Sequence, residues 1–388
     1  MRRREPEISG FVKPGFEEVY EVFVENFQHR HEIGAACCIY YRGEKVVDIW
    51  GGVRTPGTKE PWEQDTMVIV FSTTKGLSAL AMALAHSRGL FDYDDSISKY
   101  WPEFAQLGKD KITIRQLLAH QAGLFAFDEL GDKSIIADLD RLAEVLARQK
   151  PTHKPGKQQV YHALSLGYYQ NEIMRRTDPK GRTIGQYFQD EIATPLGLDF
   201  YIRLPEEIPN SKLATTQQQK MNVADMFRLP IPFLLAVINP RSSLRRALLG
   251  SQISLDDDRI YARNFEVPSG GGVGTARAIA KAYSVFATGG QELGLKKKTI
   301  SELIAPPIAP LKSYYDWEMP FSLGFAKPSR KDPFGSSSSF GMPGSGGSFG
   351  FADPEAELGY GYVPNGMSMA LEDPRDRALR NAMYHSLG

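Results

Sequence analysis

Strand signals sit near both ends of this chain, and the long stretch between them reads as helix and loop. Near the start, residues 35–41, the polar turn Arg42-Gly43-Glu44 and residues 45–50 form a hairpin pattern. Near the end, residues 347–352, the turn Asp353-Pro354-Glu355-Ala356 and residues 358–363 form a second. No strand pair is evident between them before about residue 260. A sheet drawn from both ends must close across the whole chain, and its apolar faces must be covered by helices. The predicted class is therefore α+β, an antiparallel sheet flanked by helices with a mostly helical insertion. Residues 1–95 and 265–388 are expected to form a discontinuous α/β domain, and 96–264 the inserted domain. The cleft between them is where a site is expected.

The helical candidates follow from spacing. Phe16, Val19, Tyr20, Phe23 and Phe27 mark one amphipathic helix. Leu77, Leu80, Ala81 and Leu84 mark a second over 72–89, with Gly89 as its stop signal. Others are read over 114–120, 139–146 and 184–192. A further helix is capped by Thr275 and ended by Gly289-Gly290, and a last one covers about 375–385.

At 388 residues the chain suits two domains, and 46 basic against 46 acidic residues give no electrostatic case for nucleic acid or an anionic membrane. Cys37 and Cys38 are adjacent on a predicted strand, so they should face opposite ways as buried thiols rather than pair. The seven histidines show no metal-ligand spacing, so no metal or cofactor is expected. Arg2-Arg3-Arg4 is followed by Glu5-Pro6-Glu7 rather than an apolar core, which does not read as a secretory signal. The longest apolar run, 229–238, holds Pro230 and Pro232 and is too short to span a bilayer. The expected location is a reducing cytoplasm. Oligomeric state is not specified.

Ser72-Thr73-Thr74-Lys75 opens the second helix and sets a hydroxyl and an amine one turn apart on the same face. A serine there feels the positive end of the helix dipole, which favours a developing alkoxide or oxyanion. A lysine whose pKa is lowered by burial can take the serine's proton. The competing reading is an N-cap serine followed by a surface lysine. The apolar residues 67–71 before it, and the small Thr73, Thr74 and Gly76, favour a reactive site.

Two further segments join this one: Tyr161-His162-Ala163-Leu164-Ser165-Leu166-Gly167, and Gly341-Met342-Pro343-Gly344-Ser345-Gly346-Gly347-Ser348. With Thr113-Ile114-Arg115-Gln116-Leu117-Leu118-Ala119-His120-Gln121-Ala122-Gly123-Leu124 and Pro195-Leu196-Gly197-Leu198-Asp199, the chain resembles the serine β-lactamase and penicillin-binding-protein superfamily over about residues 15–385. Its nearest likeness is to family VIII carboxylesterases and other class C β-lactamase-like proteins. The resemblance implies Ser72 as nucleophile, Lys75 as its base, and Tyr161 as a phenol held near its anionic form. Two positions depart from the family pattern. Ala163 lacks the amide or hydroxyl that contacts substrate and lysine, and Met342 replaces the cation or donor that opens the third motif. A neutral or apolar acyl ester therefore fits better than an anionic β-lactam. Pro343 has no N–H, so the amides of Ser345 and Ser72 are expected to form the oxyanion hole. Met342, Gly344, His162 and Phe125 are the substrate-binding candidates, although for His162 a packing role is the favoured reading. Phe127, Tyr314, Tyr315 and Trp317 are further candidates for an acyl pocket.

The expectation is a serine hydrolase acting on carboxylic esters of short to medium acyl chain, with a small-molecule substrate. The alternatives are a β-lactamase, a D-amino-peptide hydrolase, an acyltransferase or a non-catalytic binding member of the fold. Gly346-Gly347-Ser348-Phe349-Gly350 matches a nucleophile-elbow pattern, but only 40 residues follow Ser348, too few for the acid and histidine that must come after it. The glycine run 268–274 lacks the Lys-Ser/Thr ending of a phosphate loop and reads as a tight turn.

Overall fold

The structure, a computed structural model, describes residues 7–128, 133–219, 235–236, 238–239, 242, 245–247, 263, 266–309, 320–368, 370 and 372–388. Tyr314, Tyr315, Trp317, Pro230 and Pro232 lie outside them.

Among these residues, nine strands form one antiparallel sheet. Its order is Ile8–Val12, Glu44–Thr55, Gly34–Tyr41, Leu358–Pro364, Phe349–Asp353, Phe340–Pro343, Phe325–Ala326 and Phe321–Ser322, with Glu60–Pro61 beside Glu44–Thr55. Both anticipated hairpins are present. The first turns at Arg42 and Gly43, each with positive φ, as a two-residue hairpin of right-handed twist requires. They meet where Gly34–Tyr41 pairs with Leu358–Pro364, so the two ends of the chain close the sheet.

Helices cover both faces. Glu17–His29 and Pro374–His385 pack together on one, over Val19, Phe23, Cys37, Tyr360, Tyr362 and Leu379. Ala276–Ala287 and Thr73–Ser87 cover the other, where Cys38 lies. The two free cysteines thus face opposite ways, as the strand period predicts. Along Leu358-Gly359-Tyr360-Gly361-Tyr362 the same period sends tyrosines to one face and glycines to the other. The helix Ala276–Ala287 comes close enough there that a Cβ on Gly359 or Gly361 would fall 2.4 Å from its backbone oxygens.

The expectation of an amphipathic stripe over 72–89 is corrected. All residues of Thr73–Ser87 are buried, Lys75 included, so this helix runs through the core. Tyr20, read as part of an apolar face, is 41% exposed. Two short strands of the middle stretch, Val68–Ile69 and Phe200–Tyr201, went unread; both pair with Val273–Gly274, beyond residue 260. Two-residue strands are too short to show a period. No described helix is long and apolar enough to cross a membrane, and no described group of three or more His, Cys, Asp or Glu is placed to hold a metal.

Candidate active site

Ser72 occupies the N-cap of Thr73–Ser87 but makes no side-chain capping bond, which leaves its hydroxyl free for other partners. It follows Phe71, whose φ of 45° is unusual for a bulky residue, and the Val70 N–H donates to Gly272 O at 2.9 Å just before. Ser72 Oγ accepts from the Tyr161 hydroxyl at 2.8 Å and lies 3.2 Å from Lys75 Nζ. The Lys75 amine donates to the main-chain oxygens of Ala163 (2.5 Å) and Ser269 (2.7 Å). It is fully buried, and burial pushes its pKa well below the ordinary lysine value. The surface-lysine reading is therefore excluded.

Tyr161 keeps partial exposure and its ring stacks on Phe321, 5.4 Å between centres. Burial pushes the phenol above its ordinary pKa, and the hydrogen bond to Ser72 offsets this only in part. Burial and the bond to Ser72 thus favour a protonated phenol that donates, rather than the near-anionic one that the resemblance implies.

The side chain of Ala163 offers no polar atom, but its carbonyl makes the shortest contact to the lysine. Ser269 went unnoticed as a site residue because the loop around it reads as an ordinary turn. Its main chain holds Lys75, its hydroxyl accepts from Gly167 N–H at 2.6 Å, and Pro268 O accepts from Ser78. The signal was the run Gly270-Gly271-Gly272, since a Cβ on Gly272 would lie 2.6 Å from Thr74 Oγ1. These glycines admit the close approach of loop to helix.

The third motif reaches the same helix start. A Cβ on Gly344 would fall 2.2 Å from Val70 O and 2.8 Å from Thr73 Oγ1, and Ser345 beside it is exposed. Met342, expected as an apolar substrate wall, is 1% exposed and belongs to the core cluster on which Tyr161 rests. Ser348 is buried, donating to Val70 O at 2.9 Å and lying 3.0 Å from Thr73 Oγ1, so it braces the serine's turn. Phe125 is 2% exposed, in a small cluster with Ala126, Val160 and Ala247; Phe127 is buried as well.

His162 as a substrate contact is corrected. Its ring is fully buried, with Nδ1 donating to Val160 O at 2.7 Å and Nε2 accepting from Leu124 N–H at 3.1 Å, which leaves no nitrogen for a ligand. Burial lowers its pKa to about 3, consistent with the neutral ring those bonds need. His120 lies against it and against Tyr161, with ring centres 5.2 and 5.0 Å away. Nothing in the spacing of the histidines pointed to it.

A hydroxyl, a buried amine and a phenol joined at the head of a core helix, beside a sheet closed by both chain ends, define the fold class of serine β-lactamases and penicillin-binding proteins. The chain belongs to the beta-lactamase family, which matches residues 21–383. It is 28% identical over 382 residues to the esterase/beta-lactamase LipL of Mycobacterium tuberculosis (strain ATCC 25618 / H37Rv), covering 97% of this chain and 87% of LipL. It resembles the crystal structure of a family VIII carboxylesterase with a TM-score of 0.86 and 34% identity, over 98% of this chain and 100% of that one. A penicillin-binding protein homologue from Caulobacter crescentus is similar to the same degree, with a TM-score of 0.86, 32% identity and the same coverage.

Proposed function

We propose that this protein is a serine hydrolase that cleaves carboxylic esters through an acyl-enzyme on Ser72. The observation that carries the reading is the chain of contacts from Tyr161 through Ser72 to Lys75 and on to two carbonyls. A neutral amine has two N–H bonds, which match Ala163 O and Ser269 O, and one lone pair, which faces the Ser72 hydroxyl. Lys75 takes the serine proton as Oγ attacks the ester carbonyl, and the two carbonyls then hold the ammonium. Tyr161 gives its proton to the departing alkoxide. In the second half, water passes a proton to the phenolate and attacks the acyl carbon; Ser72 Oγ leaves with the proton from Lys75. The amides of Ser72 and Ser345 receive the oxyanion, each such donor contributing about 2.7–4 kcal/mol in the transition state.

The relatives named esterases support ester substrates. The acyl group, of short to medium length, enters a cleft between the unit 1–95 with 265–388 and the insertion 96–264. The buried free thiols of Cys37 and Cys38 accord with a reducing cytoplasm.

Labelling with a fluorophosphonate followed by peptide mapping tests this. The adduct is expected on the peptide carrying Ser72, and Ser72→Ala should abolish it; an adduct on Ser348 would overturn the assignment. Turnover of a p-nitrophenyl ester in preference to nitrocefin separates an esterase from a β-lactamase.

A further inference from the structure

Building on the Ser72–Lys75–Tyr161 reading, we propose that His120 is a positioning residue that clamps the main chain on both sides of Tyr161 and so aims the phenol at Ser72. The helix Ile114–Leu118 ends with His120 N–H donating to Leu117 O and Gln121 N–H donating to Gln116 O, the paired bonds of a Schellman cap. The cap places His120 at φ 58°, where glycine is the usual occupant because it has no Cβ to crowd. A histidine held in that conformation points to a task that glycine cannot perform.

The left-handed turn directs two groups of His120 to one short segment. Its carbonyl accepts from Val160 N–H at 2.9 Å, and its ring Nδ1 accepts from His162 N–H at 2.9 Å. Tyr161 is the residue between these anchors. Burial keeps the imidazole neutral, as an accepting Nδ1 requires. The proton then sits on Nε2, which has no hydrogen-bond partner among the described residues. The ring lies edge-on to Phe321, 4.4 Å between centres at 73°, and Phe321 is the ring on which Tyr161 stacks. The imidazole therefore braces the phenol through its backbone and through its aromatic support, and touches no reacting atom.

Asparagine and glycine distinguish this role from mere packing. Glycine suits the left-handed turn but supplies no acceptor. Asparagine tolerates the same turn and can place Oδ1 where Nδ1 stands. The expected result is that His120→Gly lowers kcat for an alkyl ester about 10- to 100-fold with little change in KM, the scale of loss a misplaced catalytic group produces. His120→Asn should recover most of that loss. On a Tyr161→Phe background, His120→Gly should add almost nothing, because the group it aims is gone. A His120→Gly enzyme with unchanged kcat, an Asn variant no better than Gly at equal thermal stability, or losses that multiply with Tyr161→Phe would each overturn the clamp. If Tyr161→Phe alone leaves kcat unchanged, the role of Tyr161 itself is overturned, and the clamp with it.

Discussion

Lys75 Nζ stands over the face of the Tyr161 ring, 4.9 Å from its centre, while the phenol hydroxyl reaches Ser72 Oγ at 2.8 Å. Amine and phenol thus approach the serine from different directions. Their partners differ too: among the described residues the amine meets two main-chain carbonyls besides the serine, and the phenol hydroxyl bonds the serine. On the proposed mechanism this geometry divides the labour, with Lys75 as a base buried behind Ser72 and Tyr161 as an acid on its other side.

Removing the phenol should therefore expose a leaving-group dependence. Tyr161→Phe is expected to lower kcat/KM for alkyl esters by about 10²- to 10⁴-fold, the usual worth of a positioned acid. For p-nitrophenyl esters, whose leaving group needs no proton, the loss should be much smaller. Rates across a series of leaving-group pKa values measure this; an equal loss along the series would refute the acid role.

The acid limb of the pH–rate profile should report Lys75. Burial holds its pKa well below the ordinary lysine value, and the base works only when unprotonated. Activity should thus fall as pH drops through the folded pKa of this amine and level off above it, at a pH below the ordinary lysine range. A profile that keeps rising up to about pH 10, near the ordinary value for lysine, would contradict a depressed pKa.

Gly167 is the place to disturb the lysine's cradle from a distance. A Cβ there would lie 2.5 Å from Ser269 N, and the loop that supplies Ser269 O would have to move. Gly167→Ala is expected to cost about 1–3 kcal/mol, the range for overpacking. It should also slow ester turnover, since Lys75 would lose an acceptor. Denaturant unfolding and p-nitrophenyl acetate kinetics, measured together, check both effects.

Acid should destabilise the fold partly through His162. Its folded pKa of about 3 lies below the ordinary value of 6.5, so the unfolded chain binds this proton first. The contribution is fully present above about pH 6.5 and is lost as pH falls toward 3, with a slope of up to about 1.4 kcal/mol per pH unit. His162→Gln keeps a donor and an acceptor without a titrating proton, so its urea midpoint should depend less on pH between 6 and 4. Equal slopes for the two proteins would exclude the effect.

Ser72 and Lys75 were legible as a pair because helical spacing alone puts residues i and i+3 on one face. The two hairpins, and the opposed cysteines on the strand Gly34–Tyr41, were equally legible, since strand alternation is a local rule. Tyr161 came from a resemblance carried by several motifs rather than from any local pattern. The carbonyl of Ala163 and the left-handed turn at His120 could not be read, because backbone atoms carry no residue-type signal; for Ser269 only the glycine run beside it hinted at a close approach. Only packing of segments from 120, 163 and 269 around one helix brings them to the same point. Local periodicity determined the pairing of Ser72 with Lys75; long-range packing decided which backbone atoms hold the amine, by burying it and leaving the main chain as its partner.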